Sequence, residues 1–187
     1  MTHPSFAALK PRLDAAVEAP DVAAVASGVK EALQDTLRCG GLALPAAITA
    51  PRPDTYARRL LHADEQGRYT VVVMTWGPGQ RTALHDHAGI WCVECVVDGE
   101  MEVTQYDLEQ VQGGLFRFAA QQTIRASRGA AGCLIPPFEY HTLANALPDR
   151  ASVTLHVYGG NMDHCHAFEP DGDGGYRRVR RDLSYHS

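Results

Sequence analysis

Three histidines and one short alternating stretch carry most of the chemistry this chain can offer. His85 and His87 stand two apart within residues 76–99, WGPGQRTALHDHAGIWCVECVVDG. Successive side chains of a strand point to opposite faces, so these two imidazoles are expected to share a face. Two imidazoles on one face make two legs of a metal site. Residues 136–145, PPFEYHTLAN, offer a third leg in His141. Residues 154–158, TLHVY, alternate Thr154, His156 and Tyr158 with apolar Leu155 and Val157. Imidazole suits Fe, Zn, Ni and Cu alike, so the residue types predict a metal without choosing it.

The elements that must hold these groups are short strands. From about Tyr69 the chain turns β-prone: YTVVVMT over 69–75, then a Gly77-Pro78-Gly79 turn. Residues 90–97 read as a second strand ended by Asp98-Gly99, with 101–107 as its return in a hairpin. Further strands are expected over 115–119, 123–126, 132–135, 141–144 and 152–158, with one more over 176–179. Many short strands at this spacing predict an antiparallel sandwich or barrel. Upstream, residues 5 to about 38 carry helical periodicity through Leu9, Leu13, Val17, Val25, Val29, Leu33 and Leu37. Asp21 after Pro20 is the expected N-cap of its second half, and Gly40-Gly41 ends it. Residues 41–55, with Pro45, Pro51 and Pro53, read as an irregular connection. The helical segment is expected to pack on one flank of the β domain.

Composition narrows the function. At 187 residues, 45% hydrophobic and 21% charged, the chain suits a single globular domain spanning 1–187. A formal net charge of −5 argues against broad binding of nucleic acid or an anionic membrane. The arginine cluster YRRVRR at 176–181 is read as a solvated face or a set of carboxylate partners. No apolar run nears the roughly 20 residues that span a bilayer, and no signal peptide is evident, so a cytoplasmic location is expected. Cys39, Cys92, Cys95, Cys133 and Cys165 are too scattered for a disulfide framework. Cys39, Cys95 and Cys133 are read as small buried apolar residues.

The spacing of the histidines resembles known motifs. Gly79, five residues, His85-x-His87, four residues, Cys92, six residues and Gly99 resemble the first cupin motif. Pro136, His141 and Asn145 resemble the second, with Phe138 where glycine is usual. The resemblance implies a mainly β cupin jelly-roll barrel over residues 54–170, with a helical N-terminal segment over 1–45. Cys92 stands where ordinary metal cupins carry a glutamate. The expected site is therefore three neutral imidazoles, which leave a divalent ion its full charge and open positions for an anionic ligand such as a thiolate. Glu94 lies nearby but breaks the motif spacing.

His85-x-His87, Cys92, His141, the His156/Tyr158 pair and CHAF at 165–168 together resemble the thiol dioxygenases, cysteine dioxygenase in particular. In that family a mononuclear non-haem Fe(II) on three histidines oxidises a thiol with O2 to a sulfinic acid. The resemblance implies His85, His87 and His141 as iron ligands and Tyr158 beside the open positions, with His156 orienting its hydroxyl. Thr154 stands where mammalian members carry serine. Cys92 stands where they carry the cysteine that forms a thioether with the tyrosine, which makes a Cys92–Tyr158 crosslink an expectation. Tyr56-Ala57-Arg58 matches the family's Tyr-x-Arg, implying that Arg58, with Tyr56, binds the substrate carboxylate. Relatives that prefer 3-mercaptopropionate resemble this chain around LLHAD and WGPGQ but carry glutamine at the Arg58 position, so Arg58 tilts the choice towards cysteine. Gly159-Gly160-Asn161 replaces the mammalian Ser-Pro-Pro, a departure in a loop that lines the pocket. Cys165 is expected to be a pocket-edge or packing residue, and His164 and His166 to lie away from the metal.

The expected function is Fe(II)- and O2-dependent oxidation of L-cysteine to cysteine sulfinic acid, with a small thiol carboxylate and O2 as the only partners. Two alternatives remain at this stage. One is a dioxygenase for 3-mercaptopropionate or a related mercapto-carboxylate such as mercaptosuccinate. The other is a non-catalytic metal-binding cupin acting as a sensor. A zinc hydrolase on the same histidines lacks an identifiable general base. The chain also lacks a G-x-G-x-x-G dinucleotide fingerprint.

Overall fold

The computed structural model describes residues 6–187. The helical stretch is two helices, α1 (Lys10–Ala16) and α2 (Val22–Arg38), divided where the expected Asp21 N-cap stands. Pro20 explains the break, because it has no N–H to donate and disfavours the helical conformation of the residue before it. Asp21 restarts the helix as expected. Its backbone is extended and its carboxylate accepts the Ala24 N–H at 2.8 Å. Gly40, at φ +69°, follows the end of α2. The connection that follows is irregular apart from one turn, α3 (Ala46–Thr49).

The strands come next: β1 (Ala57–Ala63), β2 (Thr70–Trp76), β3 (Leu84–His85), β4 (Cys92–Asp98), β5 (Glu100–Gln112) and β6 (Leu115–Ser127). They continue with β7 (Ala131–Leu134), β8 (His141–Asn145), β9 (Ser152–Tyr158), β10 (His164–Pro170) and β11 (Tyr176–Asp182). One antiparallel sheet has the order β1-β2-β9-β4-β7, and the other strands close in the order β10-β11-β6-β5-β8-β3. The protein is thus mainly β, a jelly roll carrying its N-terminal helices on one flank.

Several expectations change. β1 lies between the irregular 41–55 connection and the first expected strand, in a stretch with no element assigned, because ARRLLHA lacks the β-branched residues that mark a strand. The 164–170 stretch, to which no strand was assigned, is β10. The two segments at 115–119 and 123–126 merge into one 13-residue strand, β6. β4 and β5 form no hairpin with each other. β4 pairs with β7 and β9, whereas β5 pairs with β6 and β8. Asp98-Gly99 is a corner at which the chain leaves one sheet for the other. Cys39 is exposed, contrary to its reading as buried.

Burial explains why β2 and β9 read as they do. Every residue of both strands is buried, because each strand has a packed layer on either side. Val71, Val73, Val153, Leu155 and Val157 join Leu9, Leu13, Val25, Val29, Leu33 and Leu37 in the core beneath the helices. The alternate residues Val72, Met74, Trp76 and Tyr158 face the barrel interior with Cys92, Met101, Leu134 and Leu143. The period of two therefore sorts TLHVY into a polar inner row and an apolar outer row.

The corner depends on Gly99. Its φ is +78°, and a Cβ there would sit 2.3 Å from Ser152 Oγ and 2.9 Å from Ser152 Cα. The left-handed conformation alone costs an alanine roughly 1–2 kcal/mol. Gly99→Ala is therefore expected to lower the unfolding free energy by more than that conformational cost, read as a lower urea midpoint at an unchanged denaturant slope in equilibrium unfolding. An unchanged midpoint would contradict this account of the corner.

Candidate metal centre

His85 ends β3, opposite His141 of β8 on one side and Ala167 of β10 on the other. His85 Nδ1 lies 3.0 Å from Ala83 O, and His141 Nδ1 lies 2.8 Å from Glu139 O. A carbonyl only accepts, so each Nδ1 carries the proton and each Nε2 is left for a ligand.

His87 stands just outside β3, so simple strand alternation does not place it. The placement comes from Asp86. Its Oδ1 accepts N–H bonds from Ala88 at 3.0 Å and His166 at 2.8 Å, and its Oδ2 lies 2.9 Å from His166 Nδ1. Asp86 thereby fastens the His85–His87 segment to β10. The backbone then turns through Ala88 at φ +53° and Gly89 at φ +84°. Ala88 is the described non-glycine residue with positive φ, and Asp86 holds it there.

The ligand atoms of His85, His87 and His141 all lie within 4.8 Å of one another. Burial, reinforced by the neighbouring imidazoles, holds His87 and His141 well below the usual histidine range. Burial also lowers His85. All three rings are thus kept in the neutral form a metal ion needs. His87 Nδ1 and His141 Nε2 are buried without a hydrogen-bond partner. Unpaired nitrogens on converging neutral imidazoles fit a divalent transition-metal ion.

The β4–β9 ladder supplies the neighbouring groups. Cys92 lies directly opposite Tyr158, Glu94 opposite His156 and Val96 opposite Thr154. The Trp76 indole donates to Thr154 Oγ1 at 2.9 Å, and that oxygen lies 2.8 Å from His156 Nε2. His156 thus meets Thr154 through Nε2 and does not hydrogen-bond the Tyr158 hydroxyl. Its ring instead lies nearly parallel to that of Tyr158, with centroids 5.9 Å apart. Burial pushes the Cys92 thiol and the Tyr158 phenol well above their usual ranges, so both are protonated at neutral pH.

Glu94 lies outside the motif spacing, yet its carboxyl is buried among these groups. Its Oε2 lies 3.7 Å from His141 Nε2 and 3.6 Å from His156 Nδ1, with no hydrogen bond to either. Burial pushes its pKa up to about 8. The signal for it was present in the sequence, because Glu94 is two residues from Cys92 and so on the same strand face.

Arg58, on β1, lines the same pocket as the three histidines, Tyr56, His156, Tyr158 and Cys165. The side chain is buried, and Tyr56 stacks on Trp76 at 4.6 Å. The free space is about 30 Å³, enough for ordered water. Cys165 lines the pocket and is also buried in the inner core. His166 is held by Asp86 and His164 by Asp163, apart from the three-histidine group. The arginine cluster finds carboxylates: Arg177 pairs with Asp171, Arg180 with Asp182 and Arg181 with Glu169. No helix among the described residues is long and apolar enough to cross a membrane.

A family model described as cysteine dioxygenase type I matches residues 48–171. Cysteine dioxygenase type 1 of Rattus norvegicus is 25% identical over 114 residues, covering 61% of this chain and 56% of the relative. The Homo sapiens protein of the same name is 23% identical over the same shares. The chain thus spans about half the length of the curated relatives it matches. A structure from Klebsiella pneumoniae, described as an uncharacterized conserved protein with a double-stranded beta-helix domain, is 21% identical. It superposes with a TM-score of 0.46 over 62% of this chain and 87% of that one. The protein belongs to the cysteine dioxygenase type I family.

Two consequences are open to measurement. The purified protein is expected to bind about one divalent ion per chain by elemental analysis, and His141→Ala to abolish it. A chelator is expected to lower the melting temperature of the wild-type protein, because the ion binds only the folded state, and to leave His141→Ala unmoved. Equal metal content in the two proteins would show that these imidazoles are not the ligands.

Proposed function

We propose that this protein is a mononuclear Fe(II) thiol dioxygenase that converts L-cysteine to cysteine sulfinic acid. The observation that carries this reading is one pocket shared by three ligand-ready imidazoles, a buried arginine and a buried tyrosine. Family membership supplies the reaction class. A ferrous ion held by His85, His87 and His141 would acidify the substrate thiol and activate O2 beside it. A thiol and O2 together balance to a sulfinic acid, so no external reductant enters.

The residues divide the remaining work. Arg58 neutralises the substrate carboxylate, a task suited to a planar guanidinium, and Tyr56 flanks it. Tyr158 keeps its phenolic proton and offers it as a hydrogen-bond donor at the reacting end. His156, tied to Thr154, fixes the face on which Tyr158 rests. Cys92 and Tyr158 are directly opposed across a ladder, which brings a cross-strand pair within the roughly 4.5–5.5 Å Cβ separation typical of such neighbours. That position suits a thioether between them, formed by loss of the thiol hydrogen and a ring hydrogen with O2 as oxidant.

The test is oxygen uptake by anaerobically iron-loaded protein given L-cysteine, 3-mercaptopropionate or mercaptosuccinate, with products read by mass spectrometry. Uptake fastest with L-cysteine, yielding its sulfinate, is the expected result. Arg58→Ala is expected to raise KM by roughly 10- to 100-fold, the worth of one charge-assisted hydrogen bond. No uptake with any thiol, at one bound iron per chain, overturns the reading in favour of a sensor. Faster turnover of a thiol without the amine reassigns the substrate and leaves the class. For the thioether, a peptide map is expected to contain a linked Cys92–Tyr158 species that Tyr158→Phe abolishes.

A further inference from the structure

Arg58 is held in place by a segment outside the stretch matched to the family. Residues 183–186 follow β11 and fold back onto β1. Leu183 N–H donates to Asp163 O at 2.7 Å and His186 N–H to Arg58 O at 2.7 Å, while the Arg58 N–H donates to His186 Nδ1 at 3.0 Å. The Arg58 guanidinium donates to Ser184 O and Met162 O, each at 3.3 Å. The Tyr185 ring lies over that guanidinium at 5.3 Å, and Leu183 lines the metal pocket.

A guanidinium carries five N–H donors in a rigid plane, and two of them are engaged here by long bonds to carbonyls. The remaining donors are free for a carboxylate, and the plane of the fork decides where they point. Carbonyls of Met162 and Ser184 fix its edge, and the Tyr185 face fixes its tilt. The Tyr185 hydroxyl is buried with no partner, so the ring, and not the hydroxyl, is what holds the arginine.

We propose that residues 183–186 form the carboxylate subsite of the pocket, with Tyr185 as the positioning residue that aims Arg58 at the substrate. This rests on the thiol-dioxygenase reading and deepens it. The chain selects thiols bearing a carboxylate through a segment that lies beyond the matched residues 48–171.

Tyr185→Leu removes the aromatic face and keeps apolar bulk, and Tyr185→Phe restores the face without the hydroxyl. Each is compared with the iron-loaded wild type on 3-mercaptopropionate and on 2-aminoethanethiol, which has no carboxylate. Tyr185→Leu is expected to raise KM for 3-mercaptopropionate by about 3- to 10-fold with kcat little changed, and to leave 2-aminoethanethiol unaffected. Tyr185→Phe is expected to match the wild type. Anaerobic calorimetric titration with 3-mercaptopropionate is expected to show the same loss of affinity without turnover. An unchanged KM in Tyr185→Leu, or an equal rise for both thiols, overturns the proposal. If the wild type oxidises no thiol, the functional reading falls and the titration alone decides: equal affinity in wild type and Tyr185→Leu, or no binding by either, overturns the role of Tyr185.

Discussion

A polar group taken out of water needs a partner, and the middle of this barrel holds several that find none in the protein itself. His87 Nδ1, His141 Nε2, His156 Nδ1 and Glu94 Oε2 are buried and unpaired. Each such group costs about 1–3 kcal/mol when left unsatisfied, and a fold keeps such costs at sites of function. The surrounding architecture serves to hold them there. Asp86 fastens the His85–His87 segment to β10, the Ala83 and Glu139 carbonyls set two ring tautomers, and the Trp76–Thr154 pair fixes His156. The orphaned atoms converge because every one of their neighbours is pinned.

That pinning depends on a sheet with no solvent-facing side. α1 and α2 cover one face with leucine and valine, which frees the other face to carry polar side chains without losing the strand to water. The inner row Thr154, His156, Tyr158 and the facing row Cys92, Glu94, Val96 then meet in fixed order. Rigid scaffolding of this kind confers the precision that a site built on loops lacks. The loop-borne members, His87 and Arg58's partners at 183–186, are each tied by several hydrogen bonds to a neighbouring strand.

Much of this could be read from residues alone, and the exceptions have physical reasons. The inner row of β9 and the Asp21 cap follow from local spacing, which survives folding, whereas the histidine types were legible but His87 is placed by Asp86 and not by strand alternation. The absent β4–β5 hairpin did not follow, since Asp-Gly marks a tight turn whether the strands beside it pair together or part to different sheets. β1 and β10 escaped notice because their strand character comes from tertiary pairing with β2 and with β11 and β3, and not from β-branched composition. Glu94 breaks the motif spacing but shares a strand face with Cys92, so alternation and not the motif points to it. The segment 183–186 carried no signal at all, for its meaning lies in contacts with Arg58 more than a hundred residues away.

The doubly covered strands also govern which changes of length the gene can tolerate. In β9 a single inserted or deleted codon would rotate every later side chain to the opposite face, sending His156 or Tyr158 towards the helices and a valine or leucine towards the metal. No partial shift exists, and neither face is open to water to absorb the error. Variation in length is therefore confined to places such as the β5–β6 hairpin, whose far end is exposed and whose ladder already accommodates two register irregularities. The chemistry of this protein is heritable only in a fixed reading of odd and even.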